Sequence, residues 1–183
     1  MKGWRSRVGY VPQQVALFDG SIAQNVALTW DDDFDQDRVV DALERAQLMS
    51  LVESREHGIH EKIGERGVSL SGGQQQRIGI ARALYADPLV LVLDEATSSL
   101  DTKTEDDVTQ AIRALRGEIT LISVAHRIST IKDYDQICYL DGGQILGKDT
   151  FRALADQLPQ FGLQVALAGL GAAPIAGPEG DTP

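Results

Sequence analysis

"LVLVLDEA", Leu89 to Ala96, runs through five apolar residues and straight into two carboxylates, Asp94 and Glu95. An apolar run this short and without alternation reads as a strand buried on both faces, the kind found inside parallel sheets. Asp87-Pro88 just ahead ends the preceding helix, because the residue before a proline is pushed out of the helical region. Beyond Asp101, residues Val108, Ala111, Ile112 and Leu115 share one helical face, and "ITLISVA", Ile119 to Ala125, follows as another apolar strand. Strand, helix, strand demands a crossover connection and therefore a parallel α/β core. The paired carboxylates then sit at the carboxyl edge of the sheet, where open α/β folds bind ligands.

The rest of the chain is compatible with that core. Its 183 residues suit one domain with a sub-lobe. A hydrophobic share of 43% and a charged share of 24% exclude a disordered or fibrous chain. A net charge of −10 argues against a duplex-binding surface, although 12 of the 17 basic residues are arginines and suit isolated phosphate contacts. The single cysteine, Cys138, excludes an internal disulfide, fits a reducing compartment and reads as a buried strand residue within "QICYL". "MKGWRSRVGYVPQQ" lacks the apolar stretch of a signal peptide. The uncharged run from Gln157 to Pro178, broken by Pro159, Pro174 and Pro178, reads as a flexible tail rather than a membrane helix.

Upstream, "RVGYV" (Arg7–Val11) is a strand stopped by Pro12. Ser21 and Gln24 have the spacing of a capping box and open a short helix. The acidic run Asp31 to Asp33, with Asp35 and Asp37, reads as charge complementing a helix dipole rather than as a metal cluster. Behind it Val39, Ala42, Leu43 and Ala46 form the apolar face of an amphipathic helix. His57 and His60 read as surface residues. Near the other end, "DGGQILGKDT" (Asp141–Thr150) matches a phosphate-loop pattern up to Lys148, but Asp149 stands where the Mg²⁺-binding hydroxyl belongs. Its flanks, "QICYLD" and "QILGKD", joined by Gly142-Gly143, predict a β-hairpin with Lys148 as a surface charge.

Chemistry concentrates in "LSGGQQQRIGIARAL", Leu70 to Leu84, a helix predicted from about Ser71 to Ala86. Ser71 caps its start, and Gly72 and Gly73 let backbone approach a ligand, so free amides there make an anion site. The stretch resembles the signature motif of ATP-binding cassette (ABC) ATPases. "VLVLDEATSSLD" resembles the Walker B strand and D-loop of that family, "SVAHRIST" its switch histidine, and "VGYVPQQVALFDGSIAQNV" its Q-loop, all in the family's order. "KIGERGVSLSGG" resembles the X-loop of ABC exporters running into the signature.

The resemblance covers Trp4 to Leu154 and implies a P-loop NTPase (RecA-like) core with a parallel sheet plus an α-helical subdomain. It implies ATP and Mg²⁺ as ligands, with Asp94 and Gln13 serving the metal and Glu95, His126 and Gln13 the hydrolysis. Ser71, Gly72, Gly73, Gln74 and Asp101 would contact nucleotide across a dimer of such domains, homo- or heterodimeric. Transmembrane domains of an exporter would be met through the Q-loop and X-loop, placing the chain at the cytoplasmic face of the plasma (inner) membrane, with no nucleic-acid partner. The implied cargo class is a lipid, oligosaccharide, peptide or drug. The family's Walker A loop belongs upstream of Gln13, and the expectation is an amino-terminally truncated domain lacking it and inactive alone. The expected segments are 1–13 (core strand and Q-loop start), 14–87 (Q-loop and helical subdomain with X-loop and signature), 88–157 (core with Walker B, D-loop and switch histidine) and 158–183 (flexible tail). DNA-repair and translation ATPases carry the same motifs, and a non-catalytic remnant completing a partner's composite site is the further alternative. Charge, the lack of long heptad repeats and "GERG" count against the first two.

Overall fold

The computed structural model describes residues 7–64, 67–97, 100 and 102–170. The chain divides into two units, Met1–His126 and Arg127–Pro183. In the first, β1 (Val8–Val11), β2 (Val90–Asp94) and β3 (Thr120–Val124) form a parallel sheet in the order β1-β2-β3. Val8 pairs with Val90 and Val90 with Thr120. This is the parallel α/β core that the apolar run predicts.

Between β1 and β2 lie α1 (Ile22–Ala27), α2 (Gln36–Arg45), α3 (Met49–Glu53), a 3-10 turn (Gly58–His60) and the long helix α4 (Gly72–Tyr85). α5 (Thr102–Ala114) crosses from β2 to β3. Leu91 and Leu93 of β2 join one core with Ile78, Ile80 and Leu84 of α4 and Val108, Ile112 and Leu115 of α5. The opposite face of the sheet is more open: Val90 and Val92 are only half-buried, and Tyr10, Ile122 and Val124 are exposed. β2 is therefore buried on one face rather than two, because α4 and α5 contribute their apolar stripes to that one core.

Capping chemistry sets the helix starts. Ser21 Oγ accepts from the Gln24 amide at 3.1 Å while Gln24 Oε1 accepts from the Ser21 amide at 2.9 Å, the expected capping box. In the acidic run it is Asp35 that caps α2, accepting from the Arg38 amide at 3.1 Å, with Asp37 in the first turn. Val39, Ala42, Leu43 and Ala46 are buried as the periodicity requires. Among the described residues no cluster of acidic, histidine or cysteine side chains is arranged to hold a metal ion.

The second unit contains α6 (Ile128–Ile131), the hairpin β4 (Ile137–Asp141) and β5 (Gln144–Asp149), α7 (Phe151–Gln157) and α8 (Pro159–Leu167). The hairpin turns on Gly142 and Gly143, with φ of 53° and 76°. Positive φ at both positions is what a two-residue hairpin turn of the primed type needs. Two expectations are corrected here. Cys138 is exposed, because Ile137 takes the buried side of β4 and the two-residue period turns its neighbour outward. The tail read from residue 158 begins instead as a helix: Phe161 and Val165 are buried with Ile137 and Leu154, and the rings of Tyr139 and Phe151 stand edge-on to Phe161 at 5.5 Å. The remainder of that stretch, 171–183, lies outside the described residues. The expected 88–157 segment also divides, since the unit boundary falls after His126. Among the described residues no helix is long and apolar enough to cross a membrane.

Candidate functional site

β1 and β2 run parallel, so their carboxyl ends deliver Gln13 and the Asp94-Glu95 pair to the same edge of the sheet. β3 brings His126 there two residues after its last pairing position. Gln13 Nε2 donates to Glu95 Oε2 at 3.0 Å, and His126 Nε2 lies 2.7 Å from Glu95 Oε1. Both carboxylate oxygens of Glu95 are thereby engaged. The Glu95 side chain is 22% exposed and that of His126 73%, so the histidine faces solvent while the carboxylate is largely enclosed.

Glu95 adopts φ of 48°, in the left-handed region, and its amide donates to the Val124 carbonyl at 3.0 Å. Left-handed backbone on a residue with a Cβ costs energy and persists only where surrounding contacts impose it. Here the bond to β3 holds the Glu95 backbone, and its side chain lies between Gln13 and His126.

Asp94 has a partner that the sequence did not announce. Tyr10 Oη donates to Asp94 Oδ2 at 2.9 Å from a position 84 residues away. The Asp94 carboxylate raises the Tyr10 phenol pKa, chiefly through this hydrogen bond, since it favours the protonated hydroxyl. The available donors, the Asp94 carboxylate and the Gln13 amide, offer hard oxygens of the kind that suit Mg²⁺.

The signature residues form a separate cluster at the start of α4. Ser71 Oγ accepts from the Gln74 amide at 3.3 Å, and Gln74 Oε1 accepts from the Ser71 amide at 2.9 Å. Ser71 and Gly72 are exposed and Gly73 is buried. Gly73 has a packing reason of its own, since a Cβ there would run into the Thr104 side chain on α5. Asp101, expected at the D-loop, lies outside the described residues, as do Glu65 and Arg66 of the X-loop stretch.

Sequence reasoning also missed what holds the Gln13 loop. Gln76, buried on α4, donates from Nε2 to the Pro12 carbonyl at 3.1 Å. Arg82, six residues further along, donates to the carbonyls of Asn25 at 2.8 Å and Ala16 at 3.0 Å. Burial lowers the Arg82 pKa from its ordinary value. The glutamine-arginine pattern of the stretch was the available signal, but the partners lie 57 to 66 residues away.

A parallel sheet that ends its second strand in Asp-Glu, beside a long helix opening on Ser-Gly-Gly, defines an ABC-type ATPase fold. The comparisons agree: the ABC transporter family matches residues 1–98, and the chain belongs to it. It is 42% identical over 156 residues to the ATP-dependent lipid A-core flippase of Shewanella oneidensis, covering 85% of this chain and 26% of that protein. It is 44% identical over 152 residues to ABC transporter B family member 6 of Dictyostelium discoideum, covering 83% of this chain and 22% of the relative. A solved bacterial Atm1-family ABC exporter with ATP bound superposes with a TM-score of 0.77 at 36% identity, covering 92% of this chain and 29% of that one. The chain thus spans about a quarter of the length of these relatives.

Proposed function

We propose that this chain forms part of the nucleotide-binding domain of an ABC exporter and contributes to ATP hydrolysis that drives transport across a membrane. The observation that carries the reading is Glu95, held at the sheet edge between Gln13 and His126 beside Asp94. Hydrolysis of ATP is phosphoryl transfer to water, in which positioning and charge stabilisation do most of the work. Asp94 and Gln13 would hold Mg²⁺, which would supply positive charge to offset that of the phosphates. Glu95 would orient the attacking water or accept its proton, and its enclosure keeps bulk solvent from competing. His126 would face the terminal phosphate from its exposed position. Ser71, Gly72, Gly73 and Gln74, at the start of α4, would meet nucleotide bound by a second such domain, with Asp101 alongside. The phosphates would also need a phosphate loop, a motif that the 183 residues do not contain in intact form, since Asp149 occupies its hydroxyl position.

The partner at the membrane would be the transmembrane domains of the exporter, met at the cytoplasmic face of the inner membrane around Phe18 and the Gly64–Gly67 stretch. Support comes from the apolar surface there: the Phe18 ring lies 4.2 Å from that of Trp30, and Trp30 and Val68 are 72% and 82% exposed. The lipid A-core flippase name of one relative favours a lipid among the possible cargoes.

Glu95→Gln in the transporter that contains this chain is expected to lower ATP turnover by about 10²–10⁴-fold, the usual worth of a positioned acid or base. Phosphate release measured under saturating Mg²⁺-ATP decides it, and unchanged turnover removes the role assigned to Glu95. Residues 1–183 alone are expected to turn over little ATP, and rapid hydrolysis by them would overturn the need for a separate phosphate loop.

A further inference from the structure

The loop bearing Gln13 is moulded onto one face of α4. Gln76, Gly79 and Arg82 recur every third residue and each meets the loop. Gln76 Nε2 holds the Pro12 carbonyl at 3.1 Å. At Gly79 a Cβ would collide with the Val15 side chain, so the loop lies directly on the helix backbone. Arg82 holds the Ala16 carbonyl at 3.0 Å. Pro12 ends β1, and the next residue is Gln13, whose amide reaches Glu95 Oε2 at 3.0 Å. Gln76 is 5% exposed, an amide placed in the interior at a desolvation cost that its hydrogen bond to Pro12 offsets.

We infer that Gln76 is a positioning residue: by fixing the Pro12 carbonyl it sets Gln13 against Glu95 and ties the amino-terminus of α4, with Ser71 and Gly73, to the carboxylate on the sheet edge. The inference rests on the catalytic reading of Glu95 and Gln13 and extends it to a buried residue that acts through the Gln13 loop. Its consequence is that the two ends of the machinery in one chain, the helix start and the hydrolytic carboxylate, are joined through one rigid element. Displacement at the Ser71 end would move the Gln13 loop through Gln76.

The test pairs kinetics with a measurement that needs no nucleotide. Gln76→Met keeps the length of the side chain and removes the donor; Gln76→Asn keeps the amide but falls short of Pro12, and serves if the first variant does not fold. In the transporter containing this chain, either variant is expected to lower kcat about tenfold, as misplacement of a catalytic group does. KM for ATP should change less than kcat, because Asp94 would still hold Mg²⁺ while the placement of Gln13 against Glu95 is lost. Combined with Gln13→Ala, the Gln76 variant should add nothing further, since it acts through Gln13. In the nucleotide-free chain, amide hydrogen exchange should rise about tenfold at residues 13–16 and stay unchanged along α4, whereas a general loss of stability would raise both. Multiplicative effects of the two substitutions, or exchange rising equally in the loop and α4, overturn the role of Gln76 while leaving the catalytic reading intact. Unchanged kcat in Gln13→Ala itself sinks the catalytic reading, and this inference with it.

Discussion

The tripeptide Gly-Gly-Gln occurs twice, at residues 72–74 behind Ser71 and at 142–144 behind Asp141. Serine and aspartate are both good helix caps, so local rules permit either copy to start a helix. One does: Ser71 caps α4, and Gln74 closes the box. The other is the turn of the β4–β5 hairpin, with both glycines at positive φ. The residues downstream of each copy decide between the two outcomes. Helix-compatible residues continue from Gln75 to Tyr85 with a face for the core, whereas Ile145 and Gln144 find strand partners in Leu140 and Asp141. The glycines are also needed for different reasons, close packing on α5 at Gly73 and left-handed backbone at Gly143.

Gly→Ala at the second glycine of each copy separates these reasons. At Gly73 the new methyl meets the stiff, branched Thr104, an overpacking cost of about 2–3 kcal/mol. Relief of glycine's entropy in the helix offsets it by up to about 1 kcal/mol, leaving a net loss of about 2 kcal/mol in urea unfolding. At Gly143 nothing lies within 4 Å of the added Cβ, so only the positive φ is felt and the loss is about 1 kcal/mol. Equal losses at the two sites would erase the distinction. Ser71→Ala should cost about 1 kcal/mol through the lost cap, while Asp141→Ala leaves unfolding nearly unchanged. Smallest of all, Lys148→Ala should leave nucleotide affinity as it is, and Asp149→Thr, which completes the phosphate-loop pattern, should create none. ATP binding gained by Asp149→Thr in equilibrium titration would mean that the hairpin is a nucleotide cradle after all.

Features written in local spacing were legible: the capping box at Ser21, the cap at Ser71, the buried stripe of α2, the stop at Pro12 and the Gly-Gly hairpin. The buried apolar run also announced a parallel sheet. Which side of each strand is covered was not legible, because it depends on elements distant in sequence; hence Cys138 emerges exposed and β2 is open on one face. α8 falls in the uncharged run whose prolines suggest a tail, yet Pro159 opens the helix, and Phe161 and Val165 recur four residues apart and find Leu154 and Ile137. At the site, motif order located Gln13, Glu95 and His126, and the fold brings them together. The Tyr10 hydroxyl on Asp94 and the Gln76 amide on Pro12 stayed invisible, since they span 84 and 64 residues and obey no periodicity.

The left-handed turn at Glu95 has a consequence over generations of sequence change. Glycine or asparagine occupies such backbone more comfortably than glutamate does, so stability by itself favours replacing Glu95. Under the catalytic role proposed for Glu95, a gene copy relieved of hydrolysis would gain stability by drifting to either residue there. Glutamate at position 95 is thus held against the preference of its own backbone, and a drifted copy would be recognisable by an otherwise sound core that had relaxed at this one corner.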